Sequence, residues 1–64
     1  MYYVVIIITE TGELEHHIGP NSEARANRVN DGVNTILNLD KFHTEVISDK
    51  EFEERFGGNI ENNV

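Results

Sequence analysis

The sequence predicts an α+β domain: a three-stranded, mostly antiparallel sheet ordered second–first–third, one long helix packed on one face, and a short C-terminal helix. Three observations lead to it. Residues Tyr2 to Ile8 (Tyr-Tyr-Val-Val-Ile-Ile-Ile) are all aromatic or β-branched, so the strand they form is apolar on both faces and belongs at the centre of a sheet. Leu14 to Ile18 and Phe42 to Ile47 alternate with the two-residue period of strands that keep one face wet. Between them Ala26, Val29, Val33, Ile36 and Leu37 recur at three- and four-residue steps, the period of an amphipathic helix.

Each element has its own punctuation. The first strand ends at Glu10-Thr11-Gly12-Glu13, where Gly12 supplies the positive φ of a hairpin turn. In the second strand Leu14, His16 and Ile18 share one face and Glu13, Glu15 and His17 the other, until Gly19-Pro20 stops the ladder. Asn21 or Ser22 caps the long helix, whose first turn holds Glu23 and Ala24, and Asn27, Asn34 and Asn38 mark its wet face. Gly32 borders the apolar stripe, either to let helix and sheet approach closely or, on a competing reading, to break the helix at Asp31-Gly32. Asn38 to Lys41 turn the chain into the third strand, in which Phe42, Thr44 and Val46 alternate with His43, Glu45 and Ile47. Ser48 and Glu51 form a capping box for the short helix, with Phe52 and Phe56 four apart on one face, and Gly57-Gly58 end it. Residues 1–58 thus read as one domain and 59–64 as a flexible tail.

Size and charge limit the function classes. A 64-residue chain buries only about 60% of its unfolded surface. Its core yields about 3–5 kcal/mol, which small proteins supplement with disulfides, metals or oligomerisation. Cysteine is absent, which excludes disulfides and thiolate metal sites and leaves oligomerisation. Twelve acidic residues against five basic ones give a net charge of −7, which argues against a nucleic-acid partner and for a basic protein partner. The acidity concentrates near the C-terminus, where Glu45, Asp49, Glu51, Glu53, Glu54 and Glu61 outnumber Lys50 and Arg55. With no leader and no apolar run long enough to span a bilayer, no membrane partner and a cytoplasmic location are expected.

The residues offer little to catalysis. His16 and His17 are adjacent, so on a strand they point to opposite faces, and His17 and His43 stand two strand spacings apart. His16, beside Leu14 and Ile18, is expected to be partly buried near the sheet edge, where its titration would make stability pH-dependent. The carboxylate pairs Glu13/Glu15 and Glu51/Glu53/Glu54 lack the apolar surroundings that raise a pKa for general-acid work. No phosphate-loop spacing accompanies Gly19 or Gly57. The expectation is a chain that is not an enzyme, with no metal and no cofactor. The interaction candidates are the sheet face of Tyr3, Val5 and Ile7 with His17, which Phe52 and Phe56 are expected to cover incompletely. To these are added the acid row Glu45, Glu51 and Glu54, and the positive region of Arg25 and Arg28, which ordinary salt bridges with Glu23 or Asp31 would also explain.

Two resemblances attach to these motifs. Tyr2-Tyr3-Val4-Val5, then Gly19-Pro20 with Ser22 and Ala24, a helix and a closing strand resemble the layout of SPOR domains. That resemblance implies binding to peptidoglycan glycan strands lacking stem peptides. The same start, short hairpin and Gly-Pro helix entry, with Asp31-Gly32-Val33-Asn34 and Leu37-Asn38, are similar to small accessory proteins of bacteriophages, particularly those of actinobacteria, over roughly residues 2 to 47. This implies an accessory product with no established activity; many such products bind and alter a host protein, which here would place it in the host cytoplasm. The resulting expectation is a non-enzymatic, acidic interaction module that forms a homodimer and binds a further protein. The alternatives are an acidic nucleic-acid mimic, carried by the row from Glu45 to Glu54, or a SPOR-like glycan binder.

Overall fold

The computed structural model describes residues 1–57. Gly58 and the expected tail 59–64 lie outside the described residues. The elements run β1 (Tyr2–Ile8), β2 (Leu14–Asn21), α1 (Glu23–Asn34), β3 (Phe42–Ser48) and α2 (Asp49–Phe52), and α2 widens into a π-helical turn, Glu53–Gly57. The sheet order is β2-β1-β3, with β1 antiparallel to both neighbours. This is the architecture that the apolar first strand implies. Among the described residues no helix is long and apolar enough to cross a membrane.

β1 is the buried centre: Val4 and Val5 are 0% exposed, Ile7 2% and Ile6 9%. On the Val4/Ile6 face lies α1, which buries Ala26 completely and ties its last residue, Asn34, expected on the wet face, to the sheet where Thr44 Oγ1 donates to Asn34 Oδ1 at 3.1 Å. On the other face Val5, Ile7, Ile47 and Phe52 form a cluster against which Tyr3, Leu14 and Phe56 pack. The Phe52 ring stacks on Tyr3, with centroids 4.1 Å apart and planes 12° from parallel, and lies 4.9 Å from His17 and 5.6 Å from Phe56. The expected gap over the second sheet face is therefore closed by the chain itself. The reason is local. Ser48 is both the last residue of β3 and the cap of α2, its Oγ accepting from the Glu51 N–H at 3.1 Å. With no loop between strand and helix, the chain reverses at once onto the face it has just left.

Further expectations need correction, in β2 and at the far end of α1. Leu14 does not share a face with His16 and Ile18. Ile6 stands opposite His16 but Ile7 opposite Leu14, so Glu15 is an extra residue on β2, a bulge that turns Leu14 over to the Val5/Ile7 cluster. His16 itself is exposed, not partly buried as expected. A second extra residue, Pro20, falls between the pairs Val4–Ile18 and Tyr2–Asn21. Beside it Gly19 has φ +133°, and a Cβ there would stand 2.9 Å from the Tyr2 carbonyl oxygen, so no larger residue fits.

The second correction concerns the far end of α1. The helix passes through Gly32 without a break, ruling out the Asp31-Gly32 interruption, and a Cβ at Gly32 would meet open space rather than the sheet. It stops two residues before Ile36. Thr35 closes it, with its N–H and hydroxyl both donating to the Gly32 carbonyl, at 3.2 and 2.6 Å. Ile36, expected on the buried stripe, is thereby thrown onto the surface at 86% exposure.

Phe52 is the side chain that seals the second face, so Phe52→Ala is expected to cost about 3–5 kcal/mol, comparable with the whole stability of so small a domain. Ile36→Ala is expected to stay within about 0.5 kcal/mol. Urea titrations followed by circular dichroism measure both, and a tolerated Phe52→Ala would refute this account of the core.

Candidate interaction surface

The chain's own packing removes most of the expected apolar interface. Val5, Ile7 and Phe52 are buried in the core, and Tyr3 and His17 are half-buried against Phe52. As a docking face these residues do not serve, because α2 and its π-helical turn already occupy it. Arg25 and Arg28 are exposed on α1, and no ion pair joins them to Glu23 or Asp31 among the described residues. They lie on the helix side of the sheet, away from the acid row.

Around Glu45 the structure gathers a polar network. Glu45 stands on β3 on the same face as Val5, with which it is paired, and Arg55 reaches it from the π-helical turn. Arg55 Nη1 donates to Glu45 Oε1 at 3.0 Å and to Glu51 Oε2 at 3.2 Å. His43, two residues along the strand, brings Nε2 to 3.4 Å from Glu45 Oε2, while its Nδ1 lies 3.3 Å from Thr9 Oγ1. The Arg55 guanidinium also lies over the Phe56 ring, 5.1 Å from its centroid. The Arg55 hydrogen bond lowers the Glu45 carboxyl pKa below its ordinary value; partial burial opposes this, and the Arg55 charge and His43 assist it. Chemically this network is a clasp between β3 and the C-terminal segment. Arg55 binds two members of the expected acid row, and the exposed acids left in it are Asp49, Glu53 and Glu54, of which Asp49 lies 3.5 Å from the amino group of Met1.

Among the described residues no three His, Cys, Asp or Glu side chains are grouped to hold a metal ion. Among the described residues, backbone groups with unspent bonding capacity line the outer margins of the sheet, that of β3 among them. The Thr9 N–H donates to the Lys41 carbonyl at 2.9 Å and the Asp49 N–H to the Met1 carbonyl at 2.8 Å. Both bonds continue the β1–β3 register beyond its two ends. Antiparallel ladders alternate hydrogen-bonded and non-bonded pairs, so His43, Glu45 and Ile47 turn their amides toward β1. Phe42, Thr44, Val46 and Ser48 turn theirs outward. The Phe42 N–H is used locally, donating to the Asn38 carbonyl at 3.0 Å, but no strand of the described residues pairs with the outward groups of Thr44 and Val46.

The two margins of the sheet differ. β2 is interrupted by Glu15 and Pro20, features that discourage strand addition. β3 pairs with β1 without a register shift and has no proline, glycine or lysine between Phe42 and Ser48. Thr44 and Val46 were not among the residues singled out from the sequence. The signal that marks them is the strand order, which leaves an uninterrupted strand at the margin. Comparison with protein families, with curated proteins and with solved structures finds no match for this chain.

The lowered Glu45 pKa has a defined consequence for stability. A carboxyl that binds its proton less readily when folded stabilises the fold above its unfolded pKa, near the ordinary 4.5, and that contribution is lost as the pH falls through the folded value. Both partners are about one-third exposed, so solvent screening limits the effect to about 0.5 kcal/mol. Glu45→Gln is expected to be less stable than wild type by this amount at neutral pH. Thermal melts of the two proteins should converge on acidification through and below pH 4.5, and a constant difference across the range would contradict the assignment.

Proposed function

We propose that this chain is a non-enzymatic protein-interaction module that binds by strand addition to the outer margin of β3. One observation carries the reading: the backbone groups of Thr44 and Val46 aim away from β1 along a strand with no bulge or proline. An extended segment placed there would satisfy them and lengthen the sheet. Burial of the expected apolar face removes that face as the binding surface and leaves the margin as the better candidate. The net charge of −7 favours a basic segment over an acidic one as the added strand, if that strand comes from another protein. A bacteriophage accessory protein acting on a host protein is compatible with this mode, and so is the expected homodimer. The nucleic-acid mimic is less well supported, because Arg55 neutralises Glu45 and Glu51 in the row that would carry it.

Thr44→Pro tests the reading. Proline there removes an outward N–H that the β1 ladder does not use, at the cost of the Asn34 hydrogen bond, about 1 kcal/mol. The variant is expected to keep its far-ultraviolet circular dichroism and to lose at least about tenfold in affinity for any protein that affinity capture recovers with the wild type. Equal recovery by both would show that the partner binds elsewhere.

A further inference from the structure

We propose that the strand added to β3 is a second copy of the chain, antiparallel, with Thr44 directly opposite the partner's Thr44. The proposal rests on the reading of β3 as the association margin and supplies the occupant. Two copies related by a twofold axis pair β3 with itself, and only registers that oppose outward-facing residues can form hydrogen bonds. Around the middle of the strand there are three: Thr44 with the partner's Thr44, Thr44 with the partner's Val46, and Val46 with the partner's Val46.

Charge chooses among them. The second register sets Glu45 directly against the partner's Glu45, a like-charge pair that destabilises a sheet. The third sets the Glu45 carboxylate against the partner's Ile47. The first sets His43 against the partner's Glu45 and, by symmetry, Glu45 against the partner's His43. Both contacts fall in the non-hydrogen-bonded positions, where Cα atoms approach to about 4.5 Å and side chains meet most closely. His43 and Glu45 already lie 3.4 Å apart within one chain, so the same two groups serve across the axis.

The backbone fits this register as well. The Thr44 N–H groups would donate to each other's carbonyls, and each Val46 N–H to the partner's Phe42 carbonyl. The Phe42 N–H, spent on Asn38 at 3.0 Å, asks for nothing from the partner. An axis perpendicular to the sheet keeps both copies of α1 on one face. Asn34, which holds Thr44 at 3.1 Å, is two residues from Ile36, at 86% the most exposed large apolar side chain of the described residues. Ile36 thus follows by two residues the side chain that touches Thr44, the residue on the axis. The net charge of −7 opposes association, but at physiological salt the Debye length of about 8 Å limits that repulsion.

The absence of cysteine makes the register directly measurable. Single variants Thr44→Cys, Glu45→Cys and Val46→Cys of the full chain are oxidised at physiological salt, and sedimentation velocity of the wild type is run from about 10 µM to about 1 mM. The expected result is a mass that doubles with concentration, and a Thr44→Cys disulfide dimer that forms at least about tenfold faster than the other two, since hydrogen-bonded pairs hold Cα atoms about 5.5 Å apart. His43→Glu, a half-exposed position, is expected to weaken association at least about tenfold by setting glutamate against glutamate. Fastest cross-linking at position 45 or 46, or an undiminished dimer in His43→Glu, would overturn the register. A wild type that remains monomeric while Thr44→Pro still abolishes capture of another protein would overturn the second copy and leave the strand-addition reading intact. Monomer together with capture insensitive to that proline would remove both.

Discussion

Burial of β1 on both faces is the constraint around which the rest of the molecule is arranged. An apolar strand of this kind needs two covers, and a chain of 64 residues has one long helix to offer. The second cover is made from nine residues, Asp49 to Gly57, because β3 passes directly into α2 through Ser48. The chain thus spends no loop on the return and brings Phe52 onto Tyr3 and Val5 within four residues of the strand's end. Arg55 then fastens the segment to Glu45. Hydrophobic burial supplies the free energy and the exposed ion pairs hold the geometry, a division that follows from how little a surface salt bridge contributes.

The same economy explains the bulge at Glu15. Strict alternation in β2 would leave Leu14 on the α1 side with His16 and Ile18. One inserted residue turns it to the side where Phe52 and Ile7 need another neighbour. The hairpin thereby contributes to both cores, at the cost of regular pairing along β2. Since β2 lies at a margin, the irregularity is confined to the β1–β2 ladder and leaves the β1–β3 ladder in register. The second extra residue, Pro20, sits where β2 is about to leave the sheet for the Ser22 cap of α1.

Much of this was legible in the sequence because local signals agreed with one another. The run Tyr2 to Ile8 places its own strand at the centre, and Asn21-Ser22, of which Ser22 is the cap, and Ser48 announce both helix starts. What escaped prediction depended on distances between elements. Periodicity is blind to a bulge, so it puts Leu14 on the wrong face. It also carried the helix stripe on to Ile36, past Thr35, whose hydroxyl ends the helix by bonding backward. The wider departure from periodicity is at the second sheet face. Phe52 and Phe56 were recognised as a pair, but how fully they cover Val5 and Ile7 depends on the tight turn at Ser48. Of the interaction candidates, those chosen for apolarity were absorbed by that cover. Glu45 proved to be a clasp as well as a surface charge, and the outward amides of Thr44 and Val46 carry no side-chain signal at all.

The inequality of the two sheet margins has a consequence beyond any single contact. A protein with two receptive margins can stack without end, each addition exposing a fresh template, which is the route to fibrils. Here β2 is crooked and β3 is straight. Joining two straight margins consumes both and leaves only crooked ones facing outward. In the proposed pairing, growth along the sheet would terminate after one step, so a chain with a strongly β-forming core segment would form a closed pair and not an open stack.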